Sequence, residues 1–193
     1  MYATPLAISV VILWHLLAHQ ATAKNDLELQ FVNFTCTRGS HPNANLLASV
    51  NCGLSKNPKR RTLNMEFVLV KPLDVYDFDI VIVLPRRTQK FVVLNVTTDG
   101  CQLLSNKNQV TLLRIIREIL DRYSNFPKHC PLKQDKAYNM RGFRLDLSLI
   151  PAVTIETPVY VEFSYISKQV VLFTGYIAAS VQQISDKKNK KGA

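Results

Sequence analysis

The chain has 193 residues, 47% of them hydrophobic, and a formal net charge of +10. That apolar content, without internal repeats or low-complexity linkers, excludes a fibrous or wholly disordered chain and suffices for one domain with a real core. The charge attracts anionic surfaces, yet no nucleic-acid-binding motif accompanies it, so nucleic acid is not expected as a partner.

The first stretch, MYATPLAISVVILWHLLAHQATAKND, reads as a secretory signal over residues 1–23. Leu6 to Ala18 is almost entirely apolar but shorter than the ~20 residues that span a bilayer. Ala21-Thr22-Ala23 supplies the small-x-small pattern of a cleavage site. Residues 24–184 then form a single domain, and the secreted, extracellular space is the expected compartment. The end, SDKKNKKGA over residues 185–193, reads as a disordered basic tail.

LELQFVNFTC opens the domain as a strand, with a glycan acceptor at Asn33-Phe34-Thr35 and Cys36 at its end. Cys52 follows. Next comes the basic run Lys56, Lys59, Arg60, Arg61, and later Arg86-Arg87. Solvated loops are the plainer reading of these clusters; attraction to an anionic membrane surface or to sulfated glycans is the functional one.

LNMEFVLVKP and VYDFDIVIVLP alternate with period two. In the second, Tyr76, Phe78, Ile80, Ile82 and Leu84 share one face, opposite Asp77 and Asp79. KFVVLNVTT is the next strand and carries the second acceptor, Asn95-Val96-Thr97, on a face expected to look outward. After Cys101 the period changes. In NQVTLLRIIREILDRYSNFP, residues Leu112, Leu113, Ile116, Ile119, Leu120 and Tyr123 form one helical stripe, with Arg114, Arg117, Glu118, Asp121 and Arg122 opposite. This predicts an amphipathic helix over about 109–124, capped by Asn108 and stopped by Pro127. It either covers part of the core or forms a lid over an opening between sheets.

After Cys130, FRLDLSLIP places Phe143, Leu145, Leu147 and Leu149 on one face. VYVEFSY places Val159, Val161, Phe163 and Tyr165 together, and QVVLFTGYIAASV completes the set. About seven strands, each with one wet face, predict an all-β fold: an antiparallel β-sandwich. Four cysteines in an exported chain suggest two disulfides, for which three pairings exist. Cys36–Cys52 and Cys101–Cys130 are favoured because each closes a local loop.

Catalysis finds little support. There is no G-x-S-x-G, no H-E-x-x-H and no Gly-rich phosphate loop. Outside the leader only His41 and His129 could serve as a base, and both fall in loop-like sequence. Asp77 and Asp79 sit on a strand face rather than in a pocket. No C-x-x-C is present, so a metal site is not expected either. The sequence calls for no cofactor and no enzymatic role.

The cysteine contexts carry a resemblance. FVNFTCT with Cys36, VNCGL with Cys52-x-Leu54 and Arg60-Arg61-Thr62 after it, and VKPLDVYDFDIVI come first. LNVTTDGCQLL with Asp99-x-Cys101 and Leu104, then YSNFPKHCP with Ser124-Asn125 and Cys130-Pro131, follow in that order. Over about residues 28–180 they resemble the CheB-like insect family of small secreted chemosensory proteins, also known as a domain of unknown function. That family is similar to lipid-recognition sandwiches of the ganglioside-activator type, with an immunoglobulin-like layout. The resemblance implies a cup holding a lipid between its sheets, and a role in chemosensation or in reproductive secretions. One departure is the late turn: IPAVTIETPVY keeps Pro151, Pro158 and Tyr160 but lacks the family's glycine.

Two functions follow as expectations. In the first, the protein binds an apolar small-molecule ligand, a lipid or hydrocarbon, lined by Phe67, Tyr76, Phe78, Ile80, Phe143, Leu145, Phe163 and Tyr165. The helix then acts as lid through Leu112, Leu113, Ile116, Ile119 and Leu120. In the second, the same aromatics close a dry core, and the protein is an interaction module docking to a membrane receptor or channel.

Overall fold

The computed structural model describes residues 27–40, 46–57, 60–85, 90–105, 111–145 and 157–183. The expected leader, the basic tail, His41, Arg86-Arg87, Asn108, Leu147, Leu149 and the glycine-less turn at Pro151 lie outside the described residues.

Eight strands and two helices are described: β1 (Leu27–Arg38), β2 (Leu47–Leu54), β3 (Leu63–Leu69), β4 (Asp77–Pro85), β5 (Lys90–Asp99), α1 (Gly100–Leu104), α2 (Thr111–Tyr123), β6 (Ala137–Phe143), β7 (Thr157–Ser167) and β8 (Val170–Gln183). A five-stranded sheet runs β1-β8-β7-β4-β5 and a three-stranded sheet runs β2-β3-β6. Every pairing is antiparallel. The all-β sandwich read from alternation is the observed architecture.

Registers align the inward side chains of the large sheet in rows. Phe78, Tyr165 and Phe173 form one row, Ile80, Phe163 and Gly175 the next, and Ile82, Val161 and Ile177 the third. The small sheet answers with Leu63, Met65, Phe67 and Leu69, all buried on alternate positions of β3. At one end the interior is packed with aromatic rings. Phe67 lies 5.4 Å from Tyr165, 5.2 Å from Phe173, 5.6 Å from Tyr138 and 5.7 Å from Phe126, centroid to centroid. Tyr165 stacks on Phe173 at 4.7 Å and on Tyr76 at 5.5 Å.

Two bulges adjust the alternation. In β1 the register shifts between Phe31 and Asn33, so Phe31 and Phe34 are both buried while Val32 and Asn33 face solvent. In the β3–β6 pair the shift lies between Leu63 and Met65, opposite Gly142. That residue's φ of 68° belongs to the region glycine tolerates, and the bulge turns Phe143 back inward.

Cys36–Cys52 joins β1 to β2 and so links the two sheets; Cys101–Cys130 ties α1 to the segment between α2 and β6. These are the favoured pairings. Each is worth roughly 3–4 kcal/mol in the chain-entropy account.

Three sequence expectations need correction. The strand count omitted LASVNCGL, which is β2. A strand not foreseen, AYNMRGF, ends at Phe143, so Arg144 and Leu145 of FRLDLSLIP fall beyond it, while residues 146–151 lie outside the described residues. The single helix becomes two. Asp99 caps α1, its Oδ1 accepting from the backbone N–H of Cys101 at 2.7 Å and of Gln102 at 3.0 Å.

Phe67 joins both sheets through four ring contacts, and truncating it removes the centre of the aromatic packing. Phe67→Ala is expected to lower unfolding stability by about 3–5 kcal/mol. Urea denaturation of the oxidised protein measures this; a loss below ~1 kcal/mol would show that the ring cluster is not the keystone of the fold.

Candidate functional site

Away from the aromatic end, the inward side chains become smaller. From Tyr76 just before it, β4 goes through Phe78 to Ile80 and Ile82; β7, running the other way, goes from Tyr165 and Phe163 to Val161 and Val159. β8 passes from Phe173 through Gly175 to Ile177 and Ala179. Where the aliphatic ends meet, the sheets leave a cavity of about 180 Å³. Among the described residues its lining is apolar, and Tyr165 alone of them carries a hydroxyl. A cavity of about 150 Å³ lined by aliphatic and aromatic side chains stays dry and admits benzene, so this one suits a guest of similar or slightly greater bulk.

Helix α2 forms one wall through Ile115, Ile116, Ile119 and Leu120. Its carboxyl end is held to β6. Ser124 Oγ donates to the Leu120 carbonyl at 2.6 Å. Asn125 donates from Nδ2 to the Ala137 carbonyl and accepts at Oδ1 from the Asn139 N–H, both at 2.8 Å, while its own N–H bonds the Asn139 carbonyl. Tyr123 meets Phe143 edge-on at 5.3 Å.

The expected lining residues divide between two places. Phe78, Ile80, Phe143, Leu145, Phe163 and Tyr165 do surround the cavity. Phe67 and Tyr76 do not: both are buried in the aromatic packing. Of the helix residues, Ile116, Ile119 and Leu120 line the cavity, Leu113 is buried in the core instead, and the Leu112 side chain is outside the described part. Sequence reasoning missed Leu29 and Phe31 of β1, Met65 of β3 and Met140 of β6, along with Ile177 and Ala179 of β8. The signal that finds them is the loss of aromatics along each strand, read against antiparallel order.

Arg117 requires another correction. The helical stripe put it on the wet face, yet it is 2% exposed. It lies about 40° from Leu113 on a wheel of 100° per residue, close enough to the stripe to be drawn under. Nη2 pairs with Asp121 Oδ1 at 2.5 Å, while Nε and Nη1 are buried and find no hydrogen-bond partner among the described residues. Arg117 is not among the cavity's lining residues. Its charge is felt instead by Tyr76. Burial chiefly pushes the Tyr76 phenol well above its usual range, with Tyr165 and Asp99 adding to the rise and Arg117 opposing it. Burial alone pushes Tyr165 up as well.

Asp77 is exposed, and Asp79, on the outer face of β4, accepts a 2.9 Å hydrogen bond from Thr97 Oγ1. His129 is exposed. Among the described residues no cluster of His, Cys, Asp and Glu could hold a metal ion, and no helix is long and apolar enough to cross a membrane. The asparagines of both Asn-x-Thr tripeptides are exposed on strands at opposite edges of the large sheet: Asn33 on β1 and Asn95 on β5.

A family model described as "Protein of unknown function (DUF1091)" matches residues 78–159. The match runs from β4 to the start of β7 and includes both helices and the Cys101–Cys130 link. No curated protein matches the chain.

Two of the three buried phenols, Tyr76 and Tyr165, make alkaline stability testable. In the unfolded chain a tyrosine ionises near pH 10. Tyr76 and Tyr165 keep their protons to higher pH in the folded state, so their contribution is intact below about pH 10 and is lost as pH rises beyond it. The fall approaches about 1.4 kcal/mol per pH unit for each phenol. Urea midpoints measured on either side of pH ~10, with tyrosinate absorbance recorded on the folded protein, check this. Full ionisation of all tyrosines without unfolding would contradict it.

Proposed function

We propose that this chain is an exported, glycosylated carrier of a small apolar molecule, a lipid or hydrocarbon, held between the sheets beneath α2. The observation that carries the reading is the wholly apolar cavity at the aliphatic end of the sandwich, walled by a helix fastened at one end. The match over residues 78–159 is consistent with the CheB-like resemblance, and through it with chemosensory or reproductive use. The protein is not an enzyme in this reading: an apolar lining offers no nucleophile and no general base.

Capacity sets the affinity. Each buried methylene contributes roughly 0.8 kcal/mol, while association costs about 4–15 kcal/mol. A guest the size of the cavity as it stands binds weakly. Longer chains bind well only if α2 shifts or part of the chain remains in the mouth. The dissociation constant should therefore fall roughly fourfold per added methylene, then level off once the chain outgrows the cavity.

Protein purified from insect cells should release a stoichiometric apolar compound into organic solvent, identified by mass spectrometry, and take up a fluorescent fatty acid after stripping. Ala179→Leu, which extends a side chain into the cavity, should abolish uptake without loss of folding stability; Val161→Phe provides a second filling variant. A protein with no bound compound and no uptake would instead be the interaction module that docks through its basic surface.

Export and glycosylation have their own check. Expressed with its leader in insect cells, the secreted chain should begin near Lys24 and lose mass under an amidase specific for N-glycans, with Asn33 and Asn95 converted to Asp. Retention in the cell, or unmodified asparagines, would remove that part of the proposal.

A further inference from the structure

Beside the apolar cavity lies a second recess of about 200 Å³ with the opposite chemistry. Arg60, Arg61 and Arg144 line it, together with Glu28. Two residues belong to both linings: Leu29 and Phe31 of β1 separate the basic notch from the apolar interior. Arg144 also directly precedes Leu145, which lines the cavity. Arg60 and Arg61, part of the basic run read from the sequence as solvated loop or anionic-surface contact, therefore sit at the cavity's edge.

Among the described residues the notch retains uncompensated positive charge. Arg144 Nη2 pairs with Glu28 Oε1 at 3.0 Å, and both side chains are about two-fifths exposed. Arg61 Nη1 donates to the Val32 carbonyl at 3.2 Å, which anchors it without neutralising it. Arg60 is exposed. Three guanidinium groups thus face one carboxylate. Each guanidinium carries five N–H donors, of which these contacts use few. Planar donor forks of this kind match the oxygens of a carboxylate or a phosphate.

We propose, building on the carrier reading, that the ligand is a single-chain anionic amphiphile. Its carboxylate or phosphate rests among Arg60, Arg61 and Arg144, and its chain passes Leu29 and Phe31 into the cavity. The β1 bulge serves this arrangement. By turning Phe31 inward and leaving Val32 outside, it brings the Val32 carbonyl to Arg61 and the Phe31 ring to the cavity wall. A neutral chain would fill the same cavity but leave the arginines facing water.

Titration calorimetry at low ionic strength separates the possibilities, using octanoate, octyl phosphate, octanol and inorganic phosphate as probes. The wild-type protein should prefer the two anionic amphiphiles over octanol by about tenfold, and the preference should shrink with added salt. The triple variant R60A/R61A/R144A should lose the preference while binding octanol as before. If it fails to fold, Arg60→Ala alone, at an exposed position, should reduce the preference. Equal binding of octanol and octanoate by the wild type would overturn the inference and leave the apolar carrier standing. A preference that survives in the triple variant would place the head group elsewhere and also overturn it. Inorganic phosphate binding as tightly as octyl phosphate would make the notch a site for free anions and overturn the amphiphile. Binding of none of the alkyl probes would overturn both readings.

Discussion

The structure depends on a single asymmetric packing event: Phe67 from the small sheet wedging among Tyr165, Phe173, Tyr138 and Phe126. Rings of this size hold two sheets at full sandwich spacing, about 10 Å. At the other end the same spacing must be filled by Ile80, Ile82, Val161, Val159, Ile177 and Ala179, which are too short to meet across it. The cavity is a consequence of where the large side chains stop. Gly175 contributes to this boundary. A Cβ there would stand 2.2 Å from the Phe163 ring, so the glycine lets that ring lie flat as the floor between packed and hollow halves.

Dense aromatic packing and an apolar cavity occupy opposite ends of one sandwich. Alternation made the strands and their inward faces legible, because one buried face forces a period of two. It also exposed most of the cavity's β4 and β7 walls. What it missed has particular causes. The β1 bulge breaks the period between Phe31 and Asn33, so inward Phe31 is not in step with Phe34. β2, LASVNCGL, is mostly polar or small and has no strong alternation to detect. α1 is a single turn held by an Asp99 cap, too short for a helical period to develop. Arg117 misled the wheel because residue type assigned its face, whereas proximity to Leu113 and Tyr76 decided its burial.

The disulfides meet the cost of hollowness at different points. A cavity removes dispersion contacts from its lining, at roughly 24 cal/mol per Å³ of empty volume. At about 180 Å³ that is about 4 kcal/mol of lost stability. Cys36–Cys52 clamps the sheets one row from Phe34 and Ile177, so the layers cannot simply collapse or slide to fill the gap. Cys101–Cys130 restrains the loop that contains α2, while Asn125 fixes the helix's carboxyl end to β6.

The matched segment, residues 78–159, supplies β4, α2, β6 and the first residues of β7, and so one side of the cavity together with its helical wall. The partition between apolar interior and basic notch comes from outside it: Leu29 and Phe31 from β1, Arg60 and Arg61 from the loop before β3. Only Arg144 reaches the notch from within the match. Hydrophobic burial is non-directional and scales with area, so the walls supplied by the matched segment can accept many apolar shapes. Guanidinium forks are directional and charge-selective. In the proposed carrier, discrimination among ligands of similar bulk therefore rests with the β1 edge and its arginines, while the helix and the tapering strands determine how much of a ligand is removed from water.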